Sequence, residues 1–93
     1  MRIVWTEPAI EDAENIKAYI AKDSEIYAIR VIEKFFEVVD ELIMFPRLGR
    51  VFPEFQEHDI REVFAYNYRI IYCLKNESIC ILTIVHAARE LHP

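Results

Sequence analysis

Arg69 and His86 are the residues whose types and spacing best suit chemistry in this chain. If strands over 67–74 and 78–86 pair with Cys73 opposite Cys80, Arg69 lies across from Ile84 and diagonally from His86, on one face. A guanidinium is a permanent cation whose fork of donors matches phosphate, and an imidazole titrates near neutrality. Together they could hold a phosphate group. The rival reading is structural, because Glu62 on the neighbouring strand could neutralise Arg69 on the same face. Cys73 and Cys80 show neither CxxC spacing nor clustered histidines, so they read as reduced, small apolar residues rather than metal ligands. With no glycine-rich phosphate loop and no metal-ligand spacing, no cofactor is expected.

The charge is divided unevenly. Residues 1–45 hold ten acids against five bases, while residues 46–93 hold six of each, so the whole net charge of −5 sits in the first half. Overall acidity excludes a broad electrostatic grip on nucleic acid, which needs clustered Lys and Arg. Only a local basic site in the second half could contact phosphate. At 93 residues and 54% hydrophobic, the chain is expected to form one domain with more apolar surface than a disordered segment would carry. No apolar run approaches the roughly 20 residues of a membrane span. Glu7 follows Met1 too closely for a signal peptide, and a cytoplasmic location is expected.

The elements that must position these groups follow from periodicity. Ile3-Val4-Trp5 predicts a short strand, and Thr6 can cap a helix over 7–22 with Pro8 in its first turn. Ala9, Ala13, Ile16 and Ile20 form its apolar stripe. Ser24 caps a second helix, whose stripe is Ala28, Val31, Ile32, Phe35, Val39, Leu42 and Ile43, widened by Phe36 and Val38. Pro46 stops it. A loop with the single glycine, Gly49, follows, where positive φ is expected. Residues 60–66, 67–74 and 78–86 read as strands, with polar turns near Asn67 and at Lys75-Asn76-Glu77. The fold class is α+β: an N-terminal strand and an antiparallel helical hairpin packed on a three- to four-stranded antiparallel sheet.

That sheet has two apolar faces. A four-residue loop from Lys75 to Ser78 puts Tyr68, Ile70, Tyr72, Ile79, Ile81 and Val85 on one. Arg69, Ile71, Cys73, Cys80, Leu82, Ile84 and His86 fall on the other. Helices cover one side of such a sheet, and the other ordinarily faces water with polar residues. The second strip therefore reads as a partner surface, unless a segment of the chain such as 51–58 folds over it.

The order of several motifs over some eighty residues resembles the ParE/RelE toxin superfamily, especially its ParE-like branch. They are Trp5-Thr6 with Ala9 and Asp12; Ile16 and Tyr19-Ile20-Ala21; Asp23-Ser24; Phe45-Pro46-Arg47-Leu48-Gly49-Arg50; Arg61-Glu62; Tyr68-Arg69-Ile70-Ile71-Tyr72; and Val85-His86-Ala87-Ala88-Arg89. The resemblance implies a growth-inhibiting, plasmid-stabilising toxin, neutralised by an antitoxin whose C-terminal segment wraps it. On this reading Ile71, Cys73, Leu82, Ile84, Arg69, His86 and Arg89 would contact the antitoxin or the target. ParE-like members poison DNA gyrase, whereas RelE-like members cleave messenger RNA on the ribosome, and fold alone does not choose between them. Cleavage through the 2′-hydroxyl needs a base, an acid and cations for the phosphorane. Arg69 matches an arginine that RelE-like nucleases use on phosphate; Arg50 and Arg61 would add charge, and His86 or Glu54 would move the proton. The chain departs from that branch in its acidity and in ending Arg89-Glu90-Leu91-His92-Pro93, without a tyrosine-containing C-terminal motif. The leading expectation is a toxin that acts by binding. A nuclease and an inactive antitoxin-binding remnant are the alternatives.

Plainer roles are open to each residue. Arg50 could bond loop carbonyls, Arg61 and Glu62 could form a cross-strand ion pair worth roughly 0.2–1 kcal/mol, Tyr68 and Tyr72 could be core, and Arg89 could be a surface residue.

Overall fold

The computed structural model describes residues 1–52 and 59–89. β1 is Arg2–Trp5, α1 Glu7–Ala21 and α2 Glu25–Met44. Both helices start on the expected caps. The Thr6 hydroxyl accepts from the Ala9 N–H at 3.3 Å, with proline in the first turn, and the Ser24 hydroxyl accepts from the Tyr27 N–H at 3.1 Å. Each cap satisfies one orphan donor and is worth about 1 kcal/mol. β2 is Arg50–Val51, β3 Ile60–Ala65, β4 Tyr68–Lys75 and β5 Ser78–His86. None of the described helices is long and apolar enough to cross a membrane.

The strands form one five-stranded sheet in the order β1-β5-β4-β3-β2, with β1 parallel to β5 and the other pairs antiparallel. The expected three- to four-stranded antiparallel sheet is therefore corrected to five strands and mixed pairing. A two-residue strand leaves no periodic trace, which hides β2. β1 pairs in parallel with a strand more than seventy residues away, a partnership that local periodicity does not reveal.

Ala28, Val31, Phe35, Val38, Val39 and Leu42 bury the predicted stripe of α2 against Val63, Ile70, Tyr72, Ile79 and Ile81. Phe35 meets the Tyr68 ring edge-on at 5.6 Å, a favoured aromatic geometry. Two members of the expected stripe lie outside this core: Ile43 and Phe36 are about half exposed. Ordinary helical drift carries them off the buried arc.

Asn76 and Glu77 both adopt positive φ, 48° and 61°, and join Lys75 directly to Ser78. This is the two-residue hairpin whose twist suits antiparallel strands. It is shorter than the expected four-residue loop but keeps the expected register, with Leu74 opposite Ile79 and Cys73 opposite Cys80.

Further along, that register breaks. Ile71 pairs with Thr83 but Tyr72 pairs with Ile81, which leaves Leu82 as an extra residue in β5. Beyond this bulge every side chain of β5 changes face relative to the unbroken alternation. Ile84 joins the helix-covered core, and His86 stacks edge-on against Tyr68 at 5.6 Å. Val85, not Ile84, faces Arg69. The expected assignment of Ile84 and His86 to the second face is thus corrected.

Two distant residues hold the bulge. The Thr6 hydroxyl lies 2.7 Å from the Ile81 carbonyl and 3.2 Å from that of Leu82. On α1, Asp12 accepts from the Thr83 hydroxyl at 2.5 Å and from the Ile84 N–H at 3.0 Å. Asp12→Ala orphans that partly buried N–H, with an expected loss of about 1–3 kcal/mol in urea unfolding. Asp12→Asn keeps an acceptor oxygen and should lose less.

Candidate partner-binding face of the sheet

On the side of the sheet away from the helices, β3 and β4 build an ion cluster. Glu62 opposes Ile71 and its side chain is 1% exposed. One carboxylate oxygen accepts from Arg50, through Nε at 3.0 Å and through a second, shorter bond. The other accepts from Arg69 at 3.3 Å. Burying a carboxylate is tolerable only with such partners. Arg69, 11% exposed, also donates to the Arg89 carbonyl, while its guanidinium lies 5.8 Å from the Phe52 ring centre. Its Nε is buried with no acceptor among the described residues. Arg69 thus forms the ion pair of the structural reading, sharing the single Glu62 carboxylate with the exposed Arg50.

The other candidate groups are scattered. Arg61 alternates to the opposite side from Glu62, so the expected cross-strand pair between these sequence neighbours does not form. Arg61 instead donates to Asp59 at 2.8 Å and to the carbonyls of Arg47 and Gly49 at 3.2 and 2.9 Å. It is thus Arg61, rather than Arg50, that ties down the loop carbonyls. Burial alone would raise the Asp59 carboxyl, but the Arg61 and Arg47 guanidiniums hold it below its usual 3.8. His86 is exposed, its Nδ1 accepting from the Ala88 N–H at 3.2 Å. Glu54 and His92 lie outside the described residues. Among the described residues, no base stands beside a free cation. Burial pushes both the Tyr68 and Tyr72 phenols up, which fits their place in the core rather than on a base-stacking platform.

Gly49 has a different purpose from the one its type suggests. It does not adopt positive φ. An added Cβ would stand 2.6 Å from the Tyr72 hydroxyl and 2.8 Å from the Glu62 carbonyl oxygen. The glycine lets the loop approach until its N–H meets that hydroxyl at 2.9 Å, and the hydroxyl donates on to the Pro46 carbonyl at 2.8 Å. Close approach is what the position requires.

The apolar strip on this face survives in part. Ile71 and Val85 are buried there, together with Phe52 from the segment after β2, while Ile84 is buried on the helical side. Cys73, Cys80, Leu82 and Ile60 are half-buried and, with Thr6, line an open groove of about 620 Å³. Phe52 belongs to the 51–58 segment expected as the alternative cover of this face, and it does bury part of the strip; Ile60 was missed from sequence, and Thr6 was expected only as a helix cap. None carries a reactive group, and only the strand order brings them here.

The comparisons with known proteins agree with this architecture. The family description "ParE toxin of type II toxin-antitoxin system, parDE" matches residues 3–91. A relative from Sinorhizobium fredii, named "Putative toxin Y4kP", is 32% identical over 92 residues, covering 96% of this chain and 91% of its own length. A solved structure described as "Chromosomal ParDE TA system from P. aeruginosa" has the same fold, with a TM-score of 0.76 at 21% identity, covering 92% of this chain and 95% of that one. The chain belongs to the ParE toxin family of type II toxin–antitoxin systems.

Proposed function

We propose that this toxin arrests growth by binding a protein target, DNA gyrase, and not by cutting RNA. The observation that carries this reading is the fate of the would-be nuclease groups. Arg69 is committed to Glu62 on one side of the sheet, while His86 and Arg61 belong to the other. Phosphoryl chemistry needs its base, acid and cations around one reacting atom. We further propose that the antitoxin's C-terminal segment docks on the groove of Ile60, Cys73, Cys80 and Leu82, reaching towards Arg89. Half-buried apolar residues around an open channel support a polypeptide occupant.

Inducing the chain alone is expected to stop growth, with altered plasmid supercoiling and no new transcript 5′ ends. Co-expressed antitoxin should restore growth. New 5′ ends without a supercoiling change would replace this reading with the nuclease. A groove substitution, Leu82→Glu, should weaken antitoxin binding at least tenfold, about 1.4 kcal/mol, while the toxin still arrests growth.

A further inference from the structure

The proposed docking groove uses Cys73 and Cys80 only as apolar wall and leaves their thiol chemistry unused. They are direct cross-strand partners in β4 and β5, and both are free, half-buried and on the wall of the same open groove. Beyond the Asn76-Glu77 turn, Lys75 and Ser78 form the first hydrogen-bonded pair, so alternation makes Cys73 and Cys80 hydrogen-bonded as well. Cα atoms at such positions stand about 5.5 Å apart, within the roughly 4.4–6.8 Å that a disulfide spans. Their Cβ atoms, towards the wide end of about 4.5–5.5 Å because the pair is hydrogen-bonded, stand beyond the roughly 3.5–4.5 Å of a bridge. A bond here requires the two strands to shift by roughly an ångström, and the strain makes it easy to reduce. Two thiols in one sequence-local hairpin also need no large motion to meet.

We propose that Cys73 and Cys80 form a reversible modification site for low-molecular-weight disulfides, closing to a cross-strand disulfide within one chain. One thiolate attacks the small disulfide, forming a mixed disulfide and releasing one small thiol. The second thiolate then attacks the protein sulfur of that mixed disulfide and expels the other small thiol. Two protein thiols lose two electrons, the small disulfide gains them, and both protons leave on the released thiols. Burial, and then the neighbouring Cys80, push the Cys73 thiol up, so attack by Cys73 is slowed because its thiolate is scarce. Once closed, the bridge ties β4 to β5 along the groove.

The test exposes the native full chain to oxidised glutathione, then alkylates free thiols and maps the peptides by mass spectrometry. The expected result is loss of both alkylatable thiols, a chain lighter by two hydrogens, a Cys73–Cys80 cross-link and full reversal by dithiothreitol. Cys73→Ser should end as a glutathione adduct on Cys80. Stable adducts on the native chain, disulfide-linked dimers, or a bridge that forms only in urea would each overturn the proposal. The experiment uses the toxin alone, so its outcome is independent of where the antitoxin docks.

Discussion

Glu62→Leu is expected to lower the free energy of unfolding by about 3–5 kcal/mol, because it leaves the buried Arg69 guanidinium without its counter-charge. Glu62 is almost wholly enclosed and Arg69 nearly so, whereas Arg50 is 69% exposed. The loss therefore comes mainly from the Arg69 side; an exposed arginine is screened and adds little. Glu62→Gln keeps one acceptor oxygen for Arg69 but replaces the other with an amide donor and removes the charge, so it should fall between, at about 1–3 kcal/mol. The decisive comparison is Glu62→Leu with Arg69→Met in one chain. Replacing a whole buried ion pair by apolar groups is often close to neutral, so the double variant should recover most of the stability lost by the single one. Urea unfolding with an unchanged slope would measure this. A double variant as unstable as the sum of both singles would mean that the pair is not the source of the effect.

Gly49→Ala carries the second large effect, about 2–4 kcal/mol. The added methyl meets the Tyr72 ring at 2.7 Å and a backbone oxygen of β3 at 2.8 Å. Tyr72 is fully buried and cannot swing aside, and the β3 carbonyl cannot move without β2. Overpacking of this kind costs roughly 1–3 kcal/mol. Displacing the loop also breaks the bonds from the Gly49 N–H to Tyr72 and from Tyr72 to the Pro46 carbonyl, each worth about 0.5–1.5 kcal/mol. Tyr72→Phe removes the crowding hydroxyl together with those bonds. Combined with Gly49→Ala, it should cost clearly less than the two losses added, the sign of a shared contact. Strict additivity would show that the hydroxyl is not what the methyl strikes. Arg50 follows Gly49 and pairs with Glu62, so the same displacement should also loosen the ion cluster on the other side of the sheet.

Local order decided much of this protein. Thr6 and Ser24 cap their helices because the helical start needs an acceptor there, whatever lies elsewhere. The apolar stripes named the core, and the polar turn at Asn76-Glu77 set the Cys73–Cys80 register from neighbouring residues alone. The order of motifs along the chain was enough to mark the family. What the tertiary structure alone decided are facts that join distant residues. The bulge at Leu82 depends on Thr6 and Asp12, some seventy residues away, and a single extra residue moves Ile84 and His86 to the other face, because strand side chains alternate with period two. Arg69 looks the same in the sequence whether it meets a phosphate or Glu62. Only the register of β3 against β4, with Arg50 beside it, puts a carboxylate in its path.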